Sequence, residues 1–144
     1  MSDFIIEKYK AEHGEALIAD GEVPWTTDVG QAKLLEKSNF SVTVLINDDP
    51  VMCSGIIDLW EGCGEGWFIA AKELLDYPVT LSRATKEVLH EEIVKTNYRR
   101  VQVNVRADWE VAVRFSKFLG FKEEGLMRKF GPEGADYLRM SIVQ

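Results

Sequence analysis

Few residues of this 144-residue chain are of types that carry chemistry, and their spacing excludes several kinds of it. The cysteines are Cys53 and Cys63, and the histidines are His13 and His90. Neither histidine lies near a Cys-x-x-Cys pair, so a zinc-ligand spacing is missing. There is no Ser-His-Asp order and no phosphate-cradling P-loop. Two cysteines in a chain of this size read as reduced thiols rather than as a disulfide framework. Cys53 alternates with Ser54 in a run that reads as sheet, which suits a small core residue. Cys63, between two glycines, is expected to be exposed and able to react. His90 falls mid-helix among Glu87, Glu91 and Glu92 and reads as part of a solvated face. Trp25, Trp60, Trp67 and Tyr77 are able to line a pocket, although buried aromatics more often serve packing.

Charge narrows the partners. A net charge of -7 argues against general nucleic-acid binding, which needs clustered Lys and Arg. Residues 1–71 hold 4 basic and 13 acidic side chains, whereas residues 72–122 hold 10 basic and 7 acidic. An acidic chain with one locally basic segment offers a place for an anionic ligand there, or simply a solvated helix face. Hydrophobic content of 46% and charged content of 28% fit a water-soluble globular protein. No apolar run approaches the roughly 20 residues that span a bilayer, so no membrane partner is expected. The first residues lack the basic start and apolar core of a signal peptide, which points to the cytoplasm.

These side chains must be positioned by a single domain, since the length suits one core. Phe4–Tyr9 reads as a strand, followed by helices over 11–19 and 29–37 that are joined by Asp20-Gly-Glu-Val-Pro-Trp25. Asp28 is the expected N-cap of the second helix. Ser41–Ile46 places Val42, Val44 and Ile46 on one strand face, and Val51–Asp58 returns after the turn Asn47-Asp-Asp-Pro50. Glu61-Gly-Cys-Gly-Glu-Gly66 reads as a glycine-rich link before the buried strand Trp67–Ala71. A helix opens at Asp76-Tyr-Pro78 and runs to about Thr96, with Leu81, Ala84, Val88 and Leu89 buried. Val101, Val103 and Val105 alternate with Gln102, Asn104 and Arg106 as a half-buried strand. Next comes an amphipathic helix with Val111, Phe115, Phe118 and Leu119 as its stripe, closed by Gly120. Strands over 122–129 and 135–142 form a final hairpin across Phe130-Gly-Pro-Glu-Gly134. The order is β-α-α-β-β-β-α-β-α-β-β, a mixed α/β sheet covering residues 1–144 without repeat or linker.

That order resembles the GNAT fold (GCN5-related N-acetyltransferases) over essentially the whole chain. The likeness is strongest in Ala112, Phe115, Leu119-Gly-Phe121, Gly125 and the last hairpin ending Leu138-Arg-Met140. More narrowly, Val103-Asn-Val-Arg-Ala-Asp108, Glu124-Gly-Leu-Met-Arg128 and Gly131-Pro-Glu-Gly-Ala-Asp-Tyr137 resemble short GNAT-like proteins of tailed phages, some known as internal virion protein A. The resemblance implies acetyl-CoA as acetyl donor, lying where two parallel strands splay apart. Its pantetheine would pair along Ile69, Ala70 and Ala71, as an added strand does. Its pyrophosphate would meet the next helix N-terminus near Thr80, Ser82, Arg83 and Lys86.

The resemblance also implies roles and departures. Glu65, or else Asp58, would be the base that takes a proton from an attacking amine on a small molecule or a protein. Ser116 stands where many members carry the tyrosine that protonates the leaving thiolate, and Trp109 where asparagine is common. The family's Arg/Gln-x-x-Gly-x-Gly/Ala loop is replaced by Lys72-Glu-Leu-Leu-Asp-Tyr-Pro78, which has no glycine and holds Glu73 and Asp76. Two functions are therefore expected to compete. One is direct N-acetyl transfer. The other is a GNAT fold whose catalytic parts have eroded, kept as a virion-associated or assembly protein that binds phage or host proteins.

Overall fold

The computed structural model describes residues 4–19, 29–71, 76 and 79–144. The cap expected at Asp28, Trp25, Tyr77, the connection 20–25 and, Asp76 apart, the glycine-free segment 72–78 fall outside them. The elements run β1 (Phe4–Lys8), α1 (Ala11–Ala19), α2 (Val29–Leu34), β2 (Phe40–Ile46), β3 (Asp49–Trp60), β4 (Cys63–Ala70), α3 (Val79–Thr96), β5 (Arg100–Arg106), α4 (Glu110–Leu119), β6 (Lys122–Met127) and β7 (Tyr137–Val143). This is the order read from the sequence, a single-domain α/β fold. Among the described residues it has four α-helices and a seven-stranded mixed sheet in the order β1-β2-β3-β4-β5-β7-β6. Its contacts gather into two compact units. One is Met1–Ile57 with Gly66–Leu74, and the other is Asp58–Glu65 with Leu75–Gln144.

In the first unit β1 and β2 pair antiparallel, as do β2 and β3. Asn47 and Asp48 have φ of 50° and 68°, the left-handed values of a two-residue hairpin turn, which these side chains tolerate better than most. The register shifts between Val44 and Leu45, next to the entry of Pro50, which has no amide proton to give a ladder. The expected single apolar face of β2 is not what forms. Ser41 and Thr43 are as buried as Val44 and Leu45, because the strand is interior and both of its faces are covered. Thr43 Oγ1 lies 2.8 Å from His13 Nδ1 and 3.5 Å from Cys53 Sγ, so the buried hydroxyl is satisfied. Tyr9, Leu17, Cys53 and Ile69 form the core, with Trp67 against it. Trp67 meets Tyr9 edge-on at 5.0 Å and donates its indole proton to Ser38 Oγ at 2.8 Å, a packing role. Cys53 is the core thiol expected, and burial pushes its pKa up to about 12.

In the second unit Glu61-Gly62 is the whole turn after β3, with Gly62 at φ +85°. The expected glycine-rich link is therefore a correction, since β4 already begins at Cys63. Gly64 is a buried ladder residue opposite Val101, and glycine within a strand marks close approach rather than a loop. Cys63 is buried too, at 5% exposure, which overturns the expectation of a reactive surface thiol.

Helix α3 starts at Val79, just after Pro78, and buries Leu81, Thr85 and Ile93. Ala84, Val88 and Leu89, expected on that face, are only half-buried. Helix α4 buries Ala112, Phe115, Ser116 and Leu119. The stripe thus starts one position later than expected, leaving Phe118 39% exposed under Lys86 Nζ, 5.3 Å from the ring centroid. Gly120 closes α4 at φ 111°, donating to Lys117 O while the Phe121 amide donates to Ser116 O, a Schellman arrangement. His90 is not a solvated side chain but a second cap. A carbonyl oxygen only accepts, so its Nε2 carries the proton it donates to Leu119 O at 2.6 Å. β6 is the edge strand; Lys122, Glu123, Glu124 and a bulge before Gly125 blunt it against further pairing. Among the described residues no helix is long and apolar enough to cross a membrane.

Candidate functional site

The residues expected to face an acetyl donor are buried where they lie on β4. Ile69 is 1% exposed and Ala70 0%, and Ile69 is spent on the core of the first unit. The Ala71 amide donates to Val51 O at 3.1 Å, so it faces β3. Successive amides of a strand point to opposite sides, which turns the Ala70 amide away from β3. Of the three positions, Ala70 is the one whose amide is aimed away from the neighbouring strand. A methyl side chain is also the least obstacle to a ligand approaching that backbone.

The first turns of α3 present Thr80 and Arg83 as exposed and Ser82 as half-buried. That turn itself contains no acidic residue, and its helix dipole favours an anion, with the exposed Asp76 three positions before it. Lys86 is exposed and leans over Phe118.

The two candidate bases are held differently. Asp58 accepts a short hydrogen bond from Tyr98, a residue only 1% exposed. Burial and then the Asp58 carboxylate hold the Tyr98 hydroxyl well above its usual pKa, so it stays protonated and keeps donating. Asp58 thereby satisfies a buried phenol, a structural duty. Glu65 is half-buried in β4 opposite Gln102, and its Oε1 accepts from Gln102 Nε2 at 3.2 Å.

Ser116 is not placed to act as an acid. It is 1% exposed, and its hydroxyl donates to Ala112 O at 2.8 Å, one turn back in the same helix. Its single proton is committed there. Ser116→Ala is therefore expected to leave any acetyl-transfer turnover within about twofold of the parent, because no reacting group loses a partner. A large loss in steady-state turnover would restore the acid role. Trp60 is 64% exposed, so it is an exposed aromatic surface rather than a packing residue.

Sequence reading missed the groups that surround Glu65. Gln102, 9% exposed, accepts at Oε1 from Arg100 Nε at 2.9 Å. Arg100 forks onto both carboxylate oxygens of Glu124, which also accepts from Ser141 Oγ at 2.7 Å. Glu124 reaches them from the β6 bulge, where the register skips from Glu123 to Gly125. Gln102, Asn104 and Arg106 were visible as the polar alternation of one strand. Which of them would be buried was not.

The Arg100 and Ser141 hydrogen bonds hold the Glu124 carboxyl at about 2, against a usual 4.5. A depressed carboxyl contributes stability that is present above the unfolded value and is lost as pH falls through the folded one. The urea midpoint of the parent should therefore exceed that of Glu124→Gln at pH 6, and the gap should close between pH 4.5 and about 2. A gap independent of pH would mean the ion pair is not its source. Among the described residues no cluster of His, Cys, Asp and Glu could hold a metal ion.

Solved structures resemble this chain along nearly its full length. Ard1 from Thermoplasma volcanium matches with a TM-score of 0.82 at 14% identity, covering 97% of each chain. The GNAT-family acetyltransferase from Streptococcus pneumoniae matches with a TM-score of 0.73 at 15% identity, covering 99% of this chain and 100% of that one. The fold is that of the GNAT acetyltransferases. A third structure with this fold, yncA from Salmonella typhimurium with its cofactor acetyl-CoA, matches with a TM-score of 0.73 at 13% identity, over 97% of this chain and 93% of that one. No protein-family model and no curated protein matches the sequence. Within the GNAT fold, β4 is the strand that holds Glu65 and Ala70, and α4 is the helix that holds Ser116.

Proposed function

We propose that the protein is an acyl-CoA-dependent N-acyltransferase that moves an acetyl group from acetyl-CoA to an amine by direct attack. The observation that carries this is the Ala70 amide, turned away from β3 at a position with only a methyl side chain. Acetyl-CoA would supply the acetyl group as a thioester, a form open to attack by an amine. The Ala70 N–H would then donate to the thioester oxygen, on which negative charge builds as the amine adds. Ile69 and Ala71 would flank it, and Thr80, Ser82, Arg83 and Lys86 at the acid-free start of α3 would favour the pyrophosphate. Glu65, five residues before Ala70 on the same strand, would take up the amine proton through bridging water as the C–N bond forms and the C–S bond breaks. With Ser116 committed to Ala112, the thiolate takes its proton from water. A thiol of pKa about 8.5 needs no dedicated acid at neutral pH. The support from neighbours is one of fold, together with a GNAT-fold structure that carries acetyl-CoA.

A second reading is favoured by the inward turn of the Ser116 hydroxyl and by the glycine-free segment of the sequence. In it the fold is kept as a binding protein, virion-associated or used in phage assembly; the phage side of this rests on sequence resemblance alone. Calorimetric titration with acetyl-CoA separates the two. Saturable binding supports transfer, and no heat at millimolar acetyl-CoA sinks it.

A further inference from the structure

We infer that Gln102 is a positioning residue that orients Glu65 for proton transfer, and that Arg100 and Glu124 fix the orientation of Gln102. The inference rests on the acyl-transfer reading above and assigns it a residue that touches no substrate.

What each group is able to donate fixes the arrangement. Arginine only donates, so the Gln102 atom facing Arg100 Nε at 2.9 Å is the amide oxygen. That fixes the amide flip, which leaves the Gln102 NH2 toward Glu65. An NH2 also only donates, so Glu65 Oε1 is an acceptor at 3.2 Å, with its lone pair engaged. The second oxygen, Oε2, is thereby left as the one to receive a substrate proton. Arg100 cannot turn away, because both ends of its guanidinium fork are held by Glu124. Glu124 is anchored in turn by the Ser141 hydroxyl. The chain runs from Glu124 on β6 through Arg100 and Gln102 on β5 to Glu65 on β4, with Arg100 donating both to Glu124 and to Gln102, and Gln102 donating to Glu65. A glutamine that is 9% exposed, with both ends of its amide bonded, is costly to leave partly satisfied. All of these residues belong to the second unit.

A double-mutant cycle on the full chain tests this, with steady-state kinetics of acetyl transfer, thermal midpoints and acetyl-CoA titration for each variant. Gln102→Leu removes donation to Glu65. It is expected to lower kcat about 10-fold or more, the scale of a misplaced reacting group, with KM for acetyl-CoA unchanged. Gln102→Glu keeps the size and the bond from Arg100 but has no proton to donate, and it should lower kcat similarly. This variant keeps the test open if the leucine variant does not fold. Neither change should lower kcat further in a Glu65→Gln background, because both act through the same carboxylate. Losses that multiply across the two backgrounds would make Gln102 a structural residue and overturn the assignment alone. A parent protein that takes up no acetyl-CoA would overturn the functional reading, and this assignment with it.

Discussion

Glu65→Gln is expected to lower kcat for acetyl transfer by about 10²-fold or more, the usual contribution of a positioned general base. The change is nearly isosteric. The new amide oxygen still accepts from Gln102 Nε2, so β4 and its ladder with β5 keep their bonding. Acetyl-CoA affinity and the thermal midpoint should therefore stay close to those of the parent. Asp58→Asn provides the contrast. Asp58 accepts from the buried Tyr98, so its change should register in stability first and in turnover only secondarily. If Glu65→Gln keeps full turnover while binding acetyl-CoA, Glu65 is not the base. Stopped assays at saturating donor, together with calorimetry, separate loss of chemistry from loss of binding.

Phe115→Ala should destabilise the second unit by about 3–5 kcal/mol, the range for emptying a buried aromatic site. Phe115 is 1% exposed on α4, and a loss of this size takes a large share of a typical total of about 5–15 kcal/mol. The thermal midpoint would fall by roughly 10 °C or more. Phe118→Ala, three residues on, removes a ring that is 39% exposed and the contact with Lys86. Its cost should stay near 1 kcal/mol or below, the worth of an exposed cation–π pair and a part-buried ring. Equal losses in urea melts of the two variants would contradict the placement of the α4 face.

This pair also shows how far the sequence could be read. The amphipathic period of α4 and its stop at Gly120 are local, set within a few residues, and both form as expected. The period alone does not say which edge of the stripe meets the sheet. Phe115 and Phe118 looked equivalent until the neighbours were in place. The same limit applies to the glycines at 62, 64 and 66. Glycine clusters usually mean loops, yet Gly64 is paired with Val101 from a strand far along the chain. Burial of Cys63 follows from that ladder.

The chain by itself determined the order of elements, the mixed α/β sheet, the Gly120 cap and the core thiol at Cys53, since periodicity and turn chemistry act over short spans. It also singled out Glu65, and Ala70 as one of three positions with Ile69 and Ala71. Only the tertiary structure decided what those residues face. The Gln102–Glu65 bond joins positions 37 residues apart and the Arg100–Glu124 pair positions 24 apart. A bulge in an edge strand brings Glu124 into line. Hydrogen-bond partners and buried polar groups depend on which strands become neighbours, and no local pattern of residues encodes that.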